Sequence, residues 1–223
     1  EVDATLALSR GQSIKLVAQA KKLHNGKVAT FILPQFVDQG DQDPVQSYFD
    51  NNGNWLFRMR MGKTAPNAKS YSILIDTDGK FGGTGPNADP QYSSSNPGFE
   101  IEIVLATKFG VLVFDVNNAN CTPVISYLGT TNYQKSIALS TSCGDADYFY
   151  DFYVKMSDLT SYFATASPAS TTINSSTPMR LAMVDNMGAS KSTICSPSSA
   201  SDIAGVDSTC GSLESCFTEI VNN

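Results

Sequence analysis

Short apolar runs, many of them alternating with polar residues, recur along the whole chain and are separated by turn residues. Alternation with a period of two is typical of a β-strand with one face in a core and the other toward solvent. The chain contains about twelve such runs and almost no helical periodicity. The predicted strands span residues 4–8, 13–20, 28–33, 45–49, 55–61, 71–76, 99–106, 111–116, 123–128, 135–139, 148–155 and 179–185. The pattern predicts an all-β fold, a jelly-roll-like β-sandwich of two antiparallel sheets.

Three runs allow a more detailed prediction. In residues 55–61, large apolar side chains alternate with two arginines, so we expect one buried face and one face that bears the arginines. Residues 148–154 are aromatic at both alternating positions, which predicts a central strand with both faces covered. Residues 157–166 place apolar side chains at helical spacing, and they predict one short helix capped by Ser157.

The length of 223 residues fits one large all-β domain or two small ones. No internal repeat of the length typical of solenoids or propellers is present. We expect residues 1–206 to form a single β-sandwich domain. The C-terminal part is richer in serine, and we expect residues 207–223 to be a cysteine-containing tail or a linker.

The composition indicates a secreted or surface protein. Charged residues make up 16% of the chain, well below the usual quarter, and uncharged polar residues and glycine fill the difference. The net charge is −6 and the sequence pI is about 4.7, without a basic cluster. Nucleic acid is not an expected partner, because its phosphates require a stripe of Lys and Arg. No apolar run reaches the length of about 18 residues that a membrane-spanning helix needs.

Five cysteines lie in the second half of the chain. They form no Cys-x-x-Cys pair and His24 is the single histidine, so a Cys/His zinc site is not expected. Their turn-like surroundings predict disulfides formed in an oxidising compartment. We predict a bridge between Cys121 and Cys143, and a second bridge drawn from Cys195, Cys210 and Cys216. The odd count leaves one thiol that is free or bonded to another chain or segment.

The strongest candidate site lies in residues 72–105. An apolar run ends in Asp-Thr-Asp-Gly, a long loop rich in Gly, Pro, Asn and Ser follows, and the chain returns through glutamates that alternate with apolar residues. Carboxylates at the two ends of one loop repel each other unless a cation or water separates them. Ca²⁺ takes oxygen ligands of this kind, and glycine permits the sharp turn after the aspartates. The predicted calcium ligands are Asp76, Asp78, Asp89, Glu100 and Glu102.

Two other interpretations of these carboxylates stay open. The EF-hand pattern is absent, because Asn87 stands where that loop requires a glutamate, so an Asx-rich turn with solvated carboxylates and no metal is one alternative. Glu100 and Glu102, about 7 Å apart along one strand, are also compatible with the acid/base pair of a polysaccharide hydrolase. Nothing in the sequence indicates a cleft around them, and no nucleophile motif accompanies the single histidine, so we do not expect an enzyme.

Sugar binding often uses aromatic side chains, whose faces stack on the C–H faces of pyranose rings. The predicted ligand-binding residues are Trp55 and Tyr92, the latter because it lies in the long loop after the aspartates.

Several segments resemble one known family of domains. They read NWLFRMRMG, SYSILIDTDGKFG, NPGFEIEIVLATKFGVLVFDV, GDADYFYDFYVKMSDL and PMRLAMVDNMGAS, and the resemblance covers roughly residues 43–206. These segments resemble a β-sandwich domain found near the start of large surface proteins of gliding and related Bacteroidota, which are exported by the type IX secretion route. Those domains are similar in pattern to carbohydrate-binding sandwiches of the DOMON and family-9 type.

The resemblance implies an extracellular, non-catalytic module for adhesion or carbohydrate binding. It supports calcium at Asp76 and Asp78, because those positions match the motif. The expected partner is a polysaccharide or another cell-surface polymer. The alternative is a structural subunit or spacer of a cell-surface filament or assembly, which would associate with itself or with neighbouring domains. A polysaccharide hydrolase is the third hypothesis.

Overall fold

The computed structural model describes residues 2–7, 13–18, 45–61, 64–65, 67, 69–80, 96, 98–137, 148–186, 188–189, 192–196, 200–203 and 218–220. The chain divides into two compact units, Glu1–Gln42 together with Asn223, and Asp43–Asn222. In the first unit, strands β1 (Val2–Ala7) and β2 (Ser13–Ala18) form an antiparallel pair.

The second unit contains eleven further strands and one helix among its described residues. They are β3 (Val45–Phe49), β4 (Asn54–Met61), β5 (Ser70–Asp76), β6 (Ile101–Ala106), β7 (Gly110–Asp115), β8 (Ile125–Leu128), β9 (Tyr133–Ile137), β10 (Tyr148–Lys155), α1 (Met156–Phe163), β11 (Met179–Asn186), β12 (Ala200–Ile203) and β13 (Thr218–Ile220).

These strands form two antiparallel sheets. The smaller sheet has the order β3-β4-β10-β9. The larger sheet has the order β12-β11-β5-β6-β7-β8, and β13 pairs with β11 as well. The chain passes from the larger sheet to the smaller one between β8 and β9, each of which lies at the end of its sheet in this order. β13 falls within residues 207–223, the predicted tail, and so adds a strand to the larger sheet.

The core of this unit lies between the two sheets. Trp55, Phe57 and Phe152 of the smaller sheet and Ile75 and Ile103 of the larger sheet are at most 2% exposed and belong to one apolar cluster. The rings of Phe57 and Phe152 stack with centroids 5.3 Å apart. Helix α1 closes this core through three buried apolar side chains.

A second apolar cluster covers the opposite face of the larger sheet. It contains Leu74, Val104 and Phe114 of the sheet and Ile194 of the segment 192–196, which lies on that face. Because both faces are covered, β5, β6 and β7 are buried along their whole length. This arrangement explains their continuous apolar runs.

The predicted all-β sandwich of two antiparallel sheets with one short helix is confirmed. The aromatic strand, β10, is central as predicted, between β4 and β9. The helix begins earlier than predicted, and Lys155 occupies its N-cap without a side-chain hydrogen bond, so the predicted cap by Ser157 is wrong. The short strands β12 and β13 were not predicted, and the predicted strand 28–33 lies outside the described residues.

The disulfide joins Cys121 to Cys195, which are 74 residues apart in the sequence. The predicted Cys121–Cys143 pair is therefore wrong. Cys121 lies in the turn region after β7, and the segment that contains Cys195 lies on the outer face of the same sheet, so the sheet brings the two together. Cys143, Cys210 and Cys216 lie outside the described residues.

None of the described helical segments combines the length and the hydropathy that a membrane-spanning helix needs.

Candidate functional site

The candidate site lies where β5 ends and β6 begins. Asp76 is the last residue of β5, and Glu100 directly precedes β6. The two lie side by side because Ile75 pairs with Ile101 and the Glu100 amide donates to the Ile75 carbonyl at 3.0 Å. Oxygens of Asp76, Asp78 and Glu100 lie within 4.8 Å of one another. We call these three residues the carboxylate cluster; three of the five predicted calcium ligands therefore meet at one place.

Asp76 is the buried centre of the cluster, at 1% exposure. Arg180, directly opposite on β11, donates to its Oδ2 through Nη2 and through Nε, the latter at 2.7 Å. Oδ1 accepts the backbone N–H groups of Asp78 and Gly79 at 3.1 and 2.8 Å. Gly79 has a φ of +75°, a conformation that suits glycine. Asp76 thus fixes the turn that presents Asp78.

Glu100 and Asp78 form the outer part of the cluster. Glu100 is buried, and its Oε2 accepts the Thr77 amide at 2.6 Å and the Thr77 hydroxyl at 3.0 Å. Asp78 is exposed, and its Oδ2 lies 2.9 Å from Nζ of Lys80. Arg180 and Lys80 therefore supply two positive charges against three carboxylates, which leaves a net charge near −1. Such a site favours a cation over an anion.

A cavity of about 250 Å³ opens beside the carboxylate cluster. Eight of its nine described lining residues have polar side chains, and the nine come from the carboxylate cluster and its turn, the turn after β7 and the segment 169–172: Thr77, Asp78, Lys80, Glu100, Asn117, Ala169, Ser170, Thr171 and Thr172. No aromatic residue is among these described lining residues. The cavity thus offers hydroxyl, amide and carboxylate groups, which recognise a ligand through hydrogen bonds.

The segment 169–172 is held in place by its own polar network. The backbone N–H of Ala169 donates to Oδ1 of Asn118, and Nδ2 of Asn118 donates to the carbonyl of Ala169, both at 2.9 Å. Asp115 orients this amide by accepting a second hydrogen bond from Nδ2 at 2.7 Å. The Tyr162 hydroxyl of helix α1 also donates to Asp115. This wall of the cavity is therefore positioned before any ligand enters.

Glu102 was predicted as a metal ligand, but it lies outside the carboxylate cluster and binds a neighbouring segment of the chain. It is fully buried beneath the segment 192–196, where it accepts hydrogen bonds from the Ser192 hydroxyl and, at 2.6 Å, from the Thr193 amide. Burial raises the pKa of the Glu102 carboxyl, and these hydrogen bonds oppose the rise. Glu102 is neither in the carboxylate cluster nor among the described residues of the cavity lining, so Glu100 and Glu102 share no described cleft as an acid/base pair.

The predicted aromatic ligand residues do not meet at this cavity. Trp55 is fully buried, stacks on Phe49 and donates its indole N–H to the Ser47 hydroxyl at 2.8 Å. It has no exposed face for a sugar, because strand alternation places it in the core. Tyr92 and the predicted calcium ligand Asp89 lie outside the described residues.

Sequence reasoning missed Arg180, Asn117 and Thr171 at this site. Arg180 lies 104 positions from Asp76, and only the antiparallel register of β11 and β5 brings the two together. Asn117 lies in a turn and Thr171 in an irregular connection, both outside any motif, so the sequence contains no signal for them.

No protein-family profile, curated protein or solved structure matches this chain. The resemblance to surface domains of Bacteroidota thus stays a prediction.

Proposed function

We propose that this chain is a non-catalytic, calcium-stabilised extracellular module that attaches to a polysaccharide or another surface polymer. The observation that supports the proposal is the carboxylate cluster beside a polar cavity, at the end of a rigid sheet. Binding residues commonly lie in loops that a rigid scaffold positions, as these do.

The chemistry of the cluster supports calcium. Ca²⁺ takes six to eight oxygen ligands, which carboxylates, carbonyls and waters supply. Three carboxylates within 4.8 Å provide the charged part of such a set, and a divalent ion offsets their residual negative charge. The Cys121–Cys195 disulfide supports the extracellular location, because disulfides persist in oxidising compartments.

The first experiment measures the melting temperature with calcium, with magnesium and with chelator. A ligand that binds only the folded state adds about 2.7 kcal/mol at 100 times its dissociation constant. For a domain of this size, that corresponds to a shift of about 5–10 °C. We expect a calcium-specific rise that Asp78→Asn abolishes, because this exposed carboxylate contributes to the cluster and little to the fold.

Asp158→Asn is the matched control, because it removes the same charge from helix α1, outside the cluster. We expect this variant to keep the calcium shift. The absence of a shift in the wild-type protein would show that the carboxylates are solvated turn residues without a metal, and would refute the calcium proposal.

A structural subunit of a surface assembly is the second candidate, and exposed apolar residues favour it. Leu128, at the end of β8, is 70% exposed, and Ile137, at the end of β9, is 68% exposed. Their strands stand at the ends of the two sheet orders, where backbone pairing with another chain extends a sheet.

A further inference from the structure

The cavity beside the carboxylate cluster contains two buried polar side chains that have no protein partner among the described residues. Asn117 and Thr171 are each only 9% exposed and both line the cavity. Their backbone N–H groups are bonded, to the carbonyls of Glu100 and Phe163, at 3.2 and 2.8 Å. The Asn117 amide and the Thr171 hydroxyl form no hydrogen bond with any residue that the structure describes.

Although the two residues are mostly buried, their polar atoms stay accessible from the cavity, where water or a ligand can form hydrogen bonds with them. The two residues lie next to the Asn118–Ala169 pair, whose two hydrogen bonds hold this wall of the cavity in place. Both residues are mostly buried and line the cavity, as residues that bind a ligand commonly do.

We infer that the cavity binds one neutral sugar unit through hydrogen bonds. An amide and a hydroxyl each donate and accept, and sugar hydroxyls are the ligand groups that do both. The carboxylates of Asp78 and Glu100 also line the cavity, and they accept hydrogen bonds from hydroxyls and repel anions. The volume of about 250 Å³ lies just below the range of clefts for small molecules, which suits a single sugar ring.

The inference rests on the proposed attachment function and names its ligand class and contact residues. It differs from the expected aromatic platform, because no aromatic residue is among the described residues of the lining. It does not require calcium, since Asn117 and Thr171 lie outside the carboxylate cluster.

The test is an NMR titration with the methyl glycosides of glucose, galactose, mannose and xylose, in chelator and again in calcium. We expect at least one of them to shift the Asn117 side-chain amide signal and the backbone amide signals of residues 170–172 saturably, and glucuronate to bind more weakly in chelator. Thr171→Val and Asn117→Leu should each weaken this affinity about tenfold, the loss typical of one hydrogen bond. Thr131→Val, on the exposed turn after β8, is the matched control and should leave the affinity unchanged.

Melting temperature separates a binding role from a structural one. The two cavity variants should melt close to the wild-type temperature, because an apolar side chain of similar shape replaces a polar group that has no hydrogen bond to another described residue. A lower melting temperature in both variants would overturn the inference, since the two groups would then stabilise the fold.

The absence of a saturable shift with all four glycosides would also overturn the inference, because the cavity would then hold only water. A calcium-dependent rise in melting temperature without sugar binding would refute this inference alone. Sugar binding in chelator without any calcium effect would support the inference and refute the calcium proposal.

Discussion

At the scale of single residues, the site depends on how buried charge is balanced. Asp76 accepts hydrogen bonds from Arg180 and from two backbone amides, so groups of the protein compensate its buried charge. The register of β5 with β6 places Glu100 beside Asp76, and the turn after β5 places Asp78 near both. Because Arg180 and Lys80 offset only two of the three negative charges, the cluster and its ion-pair partners keep a net negative charge.

Arg180→Gln tests this charge balance. The variant leaves the Asp76 carboxylate buried with less compensation, so we expect unfolding in chelator to require about 3 kcal/mol less free energy. The net charge of the cluster falls from near −1 to near −2, so calcium should restore more stability than in the wild-type protein. Urea unfolding in chelator and in calcium measures both effects.

Arg60→Gln is the charge-matched control for that experiment, because Arg60 lies on β4 in the other sheet. An equal loss of stability in both variants would show that net charge, and not the pair with Asp76, is responsible.

At the scale of elements, the segment 192–196 is attached to the larger sheet in two independent ways. Glu102 accepts the Ser192 hydroxyl and the Thr193 amide, and the disulfide connects Cys195 to the region after β7. Ile194 fills the apolar cluster between these attachments. A buried carboxylate on a covered sheet face is therefore explained by the segment above it and needs no metal.

The double variant Cys121→Ala/Cys195→Ala tests how much the disulfide contributes to the stability of the protein and to the attachment of the segment 192–196. A disulfide that closes a loop of 74 residues is expected to add about 2–4 kcal/mol, and urea unfolding should show a loss of this size. Hydrogen exchange should find the Thr193 amide still protected, because Glu102 continues to hold it. Loss of that protection in the variant would show that the disulfide alone holds the segment.

At the scale of the whole molecule, the second unit presents a polar cavity at the β5–β6 end and exposed apolar side chains on β8 and β9. These features suit different functions. The cavity suits a small polar ligand, whereas exposed apolar residues on strands at the ends of the sheet orders suit association between chains.

The structural-subunit alternative predicts association that depends on protein concentration. Sedimentation velocity should then show oligomers that the double variant Leu128→Lys/Ile137→Lys disperses, because charged side chains on such strands oppose strand pairing. Thr131→Lys, on the exposed turn between these strands, is the control and should still associate. A wild-type protein that stays monomeric at every concentration would count against this alternative.

The sequence by itself determined the class of fold. The alternating pattern and the turn residues predicted nearly all the described strands, because a strand with one buried face must alternate and a strand with two must be apolar throughout. It also predicted that Asp76, Asp78 and Glu100 belong together, since they border a single loop between paired strands.

Only the tertiary structure decided which distant residues complete these features. The register of β11 with β5 brings Arg180 to Asp76. The segment 192–196, which covers the larger sheet, binds Glu102 outside the carboxylate cluster. The same segment brings Cys195 to Cys121. The sequence contains the same glutamate spacing whether a carboxylate faces a cavity, a metal or a neighbouring loop. The segments that cover each face of the larger sheet are determined by contacts between residues far apart in the chain, so no local pattern of side chains predicts them.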